Sequence, residues 1–480
     1  MKVRLYSILA AGLLAMLTYS AVGQDFQSGY FLGGYTNAFR MNPAIQNERT
    51  IFAVGLGNIG VGIHSNQLGI NTFLYERNGK KVAAFSDEVS SETFLGKLSD
   101  VNNLGALANL DVLTLGFWSK RNYWTIDIRG RADLQVSAPR DLFAFLKDPT
   151  SMQSRDLSGT ELGLNGMMEA ALGVSHNFNN KFNVGGRVKF LYGVASARIL
   201  FDQMQTTFEN DKVAFDGHGT LEASSPAFHA TTGQNGYLEL ESLTGNFDAE
   251  QLKSPGGLGA AVDLGATWNI LPWITVSGAV LDLGAMKWNR EVYGETSTHY
   301  EWELNSTENG GADADAEEAL ESLMKFKRTS VSGSGLSMLP VTANLGAEVR
   351  IPSYQRLSFG ILGTLKHSEI CDWMEGRFSV NWNPANVLGL TVNTTLNNLG
   401  QSLGWALNFH PGGINLFLGM DYLPLNGIPV GDLSDSEDMP EFVSKYVTLP
   451  GERLNFNLYF GLNLAFGKRR LDYARRFIEN

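Results

Sequence analysis

The stretch "LNFNLYFGLNLAF", residues 454–466, alternates without a break. Leu454, Phe456, Leu458, Phe460, Leu462, Leu464 and Phe466 share one parity; Asn455, Asn457, Tyr459, Gly461, Asn463 and Ala465 share the other. A strand this long, with one face of hydrocarbon and one of amides and small groups, outruns the usual five or six residues of a soluble strand. It suits a strand crossing a bilayer at a steep tilt, which needs about 9–11 residues.

The same period of two recurs upstream. In 122–136, Trp124, Ile126, Ile128, Leu134 and Val136 oppose Asp127, Arg129, Arg131 and Asp133. In 182–194, Phe182, Val184, Val188 and Phe190 oppose Arg187 and Lys189. In 356–366, Leu357, Phe359, Ile361 and Leu365 oppose Arg356 and Lys366, and in 374–383 Met374, Phe378, Val380 and Trp382 oppose Glu375 and Arg377. Fourteen strands are expected: 51–63, 109–119, 122–137, 161–178, 181–200, 258–270, 273–289, 340–351, 355–366, 373–383, 386–397, 401–410, 412–422 and 453–467.

The connections between them alternate in length. Those at 120–122, 177–181, 271–273, 352–355, 383–386 and 410–413 are short and rich in Asn, Pro or Gly, as tight hairpins require. Those at 64–108, 138–160, 201–257, 290–339, 367–372, 397–401 and 423–452 are longer. Short turns on one side and long loops on the other mark an outer-membrane barrel. The fold expected is therefore all-β: a transmembrane antiparallel barrel of about 14 strands, with both termini in the periplasm. In hydrocarbon every backbone N–H and C=O needs an internal partner, and only a closed sheet provides one for each. The charged parity then lines the lumen: Asp127, Arg129, Arg131, Asp133, Arg187, Lys189, Arg356, Lys366, Glu375 and Arg377. Their mixed signs suit cross-strand pairing and a filled interior better than an ion-selective pore.

Residues 1–23 read as a secretory signal peptide: Lys2 and Arg4, then an apolar stretch, then Ala21 and Gly23 before the cut. Their loss takes the net charge from −12 to −14, which speaks against nucleic acid as a partner. Residues 24–49 carry Asn42-Pro43-Ala44, a fixed turn in a segment expected to plug the periplasmic mouth. Residues 50–467 form the barrel and 468–480 a basic periplasmic tail with Lys468, Arg469, Arg470, Arg475 and Arg476. Short loop helices are expected at 140–149, 312–326 and 439–447. The run Asp313, Asp315, Glu317, Glu318 could hold a divalent cation but reads more simply as a solvated helix start. The lone cysteine, Cys371, forms no disulfide framework.

Enzymatic signals are thin. "GLGNIG" (55–60) matches a dinucleotide fingerprint, but no amphipathic helix follows it. No HExxH pair and no GxSxG elbow occur. No catalytic residue, metal or cofactor is assigned.

The paired segments "VDLGATWNI" and "LPWITVSGAVLDLGAMKWN" (262–289), with Asn42-Pro43-Ala44 ahead of the first strand, resemble the long-chain fatty-acid transporter superfamily. Within it the chain is most similar to Bacteroidota-type barrels of unassigned function, which share the "VLDLG…KW" strand and an ending like "LNFNLYFGLNLAFG". The resemblance implies a fourteen-stranded barrel with an N-terminal plug. It implies either passage of hydrophobic molecules or a role beside a secretion system. The acidic insertion at 290–339 and the basic tail depart from that pattern. The first expectation is a channel for hydrophobic or amphipathic small molecules, with outer-membrane lipid around it. The alternative is a non-transporting barrel whose loops bind an envelope protein.

Overall fold

The computed structural model describes residues 25–47, 49–148, 153–179, 181–209, 212–225, 231–233, 235–239, 253–290, 292–303, 312–329, 335–368, 372–397, 400–423, 427–429 and 448–468. The leader, Cys371, the expected helix at 439–447 and the tail beyond 468 lie outside them.

Fourteen strands close into one antiparallel barrel. The first, β1, has two pieces, Thr50–Gly55 and Asn58–Ser65. The next six are β2 (Val101–Ser119), β3 (Asn122–Pro139), β4 (Thr160–Asn179), β5 (Phe182–Glu209), β6 (Gly257–Leu271) and β7 (Ile274–Trp288). Then follow β8 (Val341–Ile351), β9 (Tyr354–His367), β10 (Trp373–Ala385) and β11 (Leu388–Asn397). The last three are β12 (Gly400–Phe409), β13 (Ile414–Leu423) and β14 (Asn455–Lys468). Each strand pairs with its sequence neighbour. β14 pairs with both pieces of β1, through Phe52↔Phe466 and Ile59↔Phe460, so no edge is left open.

The outer face is hydrocarbon. Leu172, Val188, Phe190, Leu345, Ile361, Val392 and Leu396 are all more than half exposed. Near the short turns the exposed side chains become aromatic: Phe178, Phe182, Trp268, Trp273, Tyr354, Trp382, Phe409 and Phe466. An apolar belt ending in an aromatic girdle is the surface a lipid-embedded barrel presents.

Two of the irregularities in the wall lie beside the charged interior. At Leu56-Gly57 β1 breaks; Gly57 takes a left-handed φ of 69° and its N–H donates to the Asp111 carbonyl (2.8 Å). β2 carries a bulge beside the break, between Asp111 and Leu113. The buried Asn58 patches it from inside: its Oδ1 accepts from Leu462 N–H (3.0 Å) and its Nδ2 donates to Asn463 Oδ1 (3.0 Å). The second bulge lies between β6 and β7, where the register slips between Val262↔Leu283 and Leu264↔Val280. There Asp282 adopts φ 59°, a conformation Asp tolerates better than most residues, and its N–H donates to Asp263 Oδ1 (2.8 Å).

Several strands outrun the sequence expectation on the long-loop side. β2 starts at Val101 because Val101 still pairs with Pro139 of β3. β5 continues to Glu209 because it turns back into a loop strand, Lys212–Ser224, which pairs with Val292–Glu303. The helix Ala312–Leu323 packs on this extension, around Phe201, Met204, Phe215, Leu221, Trp302, Ala319, Leu323 and Phe326. A second lobe gathers Leu68, Tyr75, Val89, Phe94 and Leu98, capped where Ser90 Oγ accepts from Thr93 N–H (3.2 Å). The helix expected at 140–149 forms over Arg140–Lys147.

Val188, on the lipid face of β5, tests this assignment. Val188→Arg should cost about 2–4 kcal/mol if it lies near the bilayer midplane. Thr207→Arg, on the solvent-exposed extension of the same strand, should stay within about 0.5 kcal/mol. Urea unfolding in liposomes measures both.

Candidate functional site

Residues 25–47 run inside the barrel, and most are buried. The segment contains two short 3-10 turns, Gln27–Gly29 and Ala38–Arg40, and is held by polar groups on the inner wall. Asn42 is fully buried. Its Oδ1 accepts from Ala44 N–H (2.9 Å), while Ile45 N–H donates to its carbonyl (2.9 Å), which fixes the Asn42-Pro43-Ala44 turn. Asn42 Nδ2 reaches the Tyr30 hydroxyl (3.2 Å) and the carbonyls of Ala266 (3.3 Å) and Gly278 (3.2 Å). The turn sits against bare backbone. A Cβ at Gly265 would run into Asn42 and Pro43, and one at Gly185 into the Pro43 carbonyl. Asn344, Asn408 and Asn415 donate to the carbonyls of Met41 (2.9 Å), Gly33 (3.1 Å) and Gly34 (3.1 Å).

Two charged clusters complete the seating. In the first, Ser28 N–H donates to Asp421 Oδ1 (2.5 Å), Arg377 Nη1 donates to Ser28 Oγ (2.9 Å), and Arg377 Nη2 pairs with Glu375 (2.7 Å). Phe26 stacks beside it on Tyr459, with ring centres 4.8 Å apart.

The second cluster spans the lumen. Arg40, from the inner segment, pairs with Asp111 and with Asp127 (3.3 Å). Arg187 pairs with Asp127 (2.7 Å) and Asp263 (2.9 Å). Lys189 pairs with Asp263 (2.8 Å) and Asp282 (2.7 Å), and Arg131 with Glu169 (3.1 Å) and Asp282 (3.2 Å). Arg129 reaches Asp25 (2.8 Å). Phe39 lies between Arg187 and Arg40, 5.3 Å and 5.7 Å from the guanidinium carbons. Burial disfavours the Asp25 carboxylate, but Arg129, Arg40, Arg131 and Lys189 outweigh it and hold its carboxyl below the usual range.

Nine of the ten charged residues assigned to the lumen from sequence project inward: Asp127, Arg129, Arg131, Asp133, Arg187, Lys189, Lys366, Glu375 and Arg377. Arg356 does not. It stands exposed at the short-turn rim, donating to the Pro384 carbonyl (2.7 Å), because parity fixes the side of a strand and not the height. The sequence reading left out Asp25, Arg40, Asp111, Glu169, Asp263, Asp282 and Asp421. One signal was available: "DLG" occurs twice, at 263–265 and 282–284, and both aspartates meet at the β6–β7 bulge.

Above this ion layer, on the long-loop side, a small vestibule of about 150 Å³ is bordered by Met167, Met286, Trp288 and Leu339. Its polar lining includes Asp133, Gln135, Asn165, Arg198, Glu222 and Arg290.

The family of unknown function DUF5723 matches residues 43–421. This chain belongs to that family. No curated protein matches the sequence. Among solved structures the barrel is similar to the toluene transporter TbuX of Ralstonia pickettii, at 8% identity and TM-score 0.44, covering 93% of this chain and 99% of that one. It is also similar to the toluene transporter TodX of Pseudomonas putida (8%, TM-score 0.38, 94% and 100% covered). A FadL homologue of Pseudomonas aeruginosa gives 11% identity and TM-score 0.37, with 93% and 99% covered. At such values the likeness carries no argument about substrate, and the architecture of this DUF5723 member rests on its own pairing and register.

Arg40→Met should cost about 3–5 kcal/mol, because it leaves Asp111 and Asp127 buried with less counter-charge. Urea unfolding measures the loss, and planar-bilayer recording should show raised conductance as the inner segment loosens. Asp25 adds a pH dependence. Its depressed carboxyl contributes stability that is complete above the ordinary aspartate range, about pH 4. That contribution falls away as pH drops through the depressed value. Asp25→Asn should therefore be less stable than the parent at neutral pH and converge with it in strong acid.

Proposed function

We propose that this protein is an outer-membrane channel for hydrophobic or amphipathic small molecules, closed in the state described. One observation carries the reading: a vestibule opens on the long-loop side beside a packed apolar cluster and ends on a layer of ion pairs. Met167, Met286, Trp288 and Leu339 pack into one cluster in its inner wall, and their flexible thioethers and flat aromatic surface can re-pack around varied apolar shapes. Beneath them Glu169, Lys189 and Asp282 close the lumen with paired charge. An open aqueous pore would not pack an apolar cluster above a layer of paired charge. In this reading residues 24–49 are the plug, and the Asn42-Pro43-Ala44 turn is the contact that must shift, or be bypassed, for a solute to pass.

Outer-membrane vesicles test the proposal, because lipopolysaccharide makes the outer leaflet a barrier to hydrophobic solutes. Vesicles carrying the protein should take up the dye 1-N-phenylnaphthylamine faster than vesicles from a deletion strain. Met286→Asp with Trp288→Asp should abolish most of the difference. Equal uptake by all three, for hydrocarbon, alcohol and carboxylate probes alike, overturns the reading.

A further inference from the structure

The lipid face of the wall dips between β6 and β9, toward the short-turn side. Ala266, Gly278 and Ala347 floor an open groove of about 480 Å³, and Phe182, Trp268, Leu345 and Ile361 stand along its sides. The register brings them together: Ala266 pairs with Gly278, Gly278 with Leu345, and Ala347 with Ile361. The four large side chains are all exposed, so the groove is open to whatever surrounds the wall.

Nothing inside the protein requires so small a floor. On the inner face, Gly265 and Gly346 are bare because residues 25–47 lie against them. A Cβ would run into Asn42 at the first, and would meet the Tyr30 and Phe31 rings at 3.0 and 3.2 Å at the second. Gly278 faces the other way. A Cβ there would find its nearest neighbour, Leu345 Cδ2, at 3.4 Å, an ordinary contact, and the backbone is not left-handed. Glycine inside a strand weakens it and often marks a place where another group comes close. A notch left empty in hydrocarbon would forfeit the dispersion contacts of its lining, so a flexible chain from outside completes it.

Charge identifies the occupant. The six short turns contain no Asp or Glu, whereas Lys120, Arg121 and Lys181 stand in them. Lys181 precedes Phe182, and its carbonyl accepts from Asn269 N–H (2.7 Å), beside Trp268. Its side chain is exposed and has no ion pair among the described residues. Phe182 and Trp268 belong to the aromatic girdle, the level at which acyl chains meet head groups. A cation at the end of an apolar groove at that level matches a phosphate joined to an acyl chain. A second copy of the barrel would instead bring its own basic rim against this one.

We infer that the groove binds a phospholipid of the periplasmic leaflet, with one acyl chain along Ala266, Gly278 and Ala347 and its phosphate at Lys181. From the lumen, Asn42 Nδ2 donates to the carbonyls of Ala266 and Gly278. The lipid chain and the inner segment therefore press on the same two residues from opposite sides of the wall.

Photolabelling of the full-length protein in phosphatidylcholine nanodiscs tests this. The probe is phosphatidylglycerol carrying a diazirine on one acyl chain. Labels in peptides 264–280 and 343–349 should exceed those in the lipid-facing strand β14 about tenfold. Gly278→Leu, which fills the groove, should remove the excess, and Lys181→Glu should lower it several-fold. Both variants should keep the gel mobility of a folded barrel before boiling. If Gly278→Leu does not fold, competition on the unmodified protein decides: unlabelled phosphatidylglycerol should displace the groove labels and tetradecane should not. Equal labelling of groove and β14, an excess that survives Gly278→Leu in a folded barrel, or displacement by tetradecane overturns the inference. So does a disulfide between copies formed by Leu345→Cys in a Cys371→Ser background, which assigns the groove to a second copy.

Discussion

The structure depends on one constraint: a backbone surrounded by hydrocarbon cannot leave an N–H or C=O unpaired. Closure of β14 on both pieces of β1 meets that demand for the sheet as a whole. It also creates the next problem. A fourteen-stranded cylinder is wide enough to need filling, and its inner face carries charges that lipid will never reach. The chain fills it with residues 25–47 and with ion pairs, rather than with the apolar layers of a soluble core.

That filling shaped the wall. Glycine is abundant in this sequence, and its commonest use in proteins is in turns. Gly185 and Gly265 instead lie in strand interiors, where the Asn42-Pro43-Ala44 turn approaches so closely that a side chain would collide with it. The ion layer has a similar logic. Buried ion pairs are often no more stabilising than apolar replacements of equal volume, but removing one partner is costly. Such a layer fixes where Arg40 and Asp25 sit more than it deepens the fold's stability.

Much of this was legible from sequence, and what was not has physical causes. Alternation located the strands because one face of each meets lipid, and an error of one residue would turn charge outward. Arg129, Arg131, Arg187 and Lys189 followed from the same rule. Arg356 did not, since a residue of inner parity beyond the end of the wall faces solvent. Asp282 is the most instructive case. Counting by twos from Ile274 puts it on the lipid face, but the bulge at Leu281-Asp282 turns both residues inward. The left-handed φ that makes this possible leaves no trace in hydrophobic periodicity. The partners of the inner segment were equally hidden, because nothing local in Ser28 or Arg40 names Asp421 or Asp111, hundreds or dozens of residues away.

The seam between β1 and β14 joins the first and last strands of the cylinder, and the inner segment touches walls as far apart in sequence as β2 and β13. Residues 25–47 are therefore fastened by residues synthesised long after them. A half-made sheet would expose two raw edges and an unanchored, charge-bearing peptide, so intermediates gain little until the ring is complete. Such long-range topology makes assembly slow and cooperative.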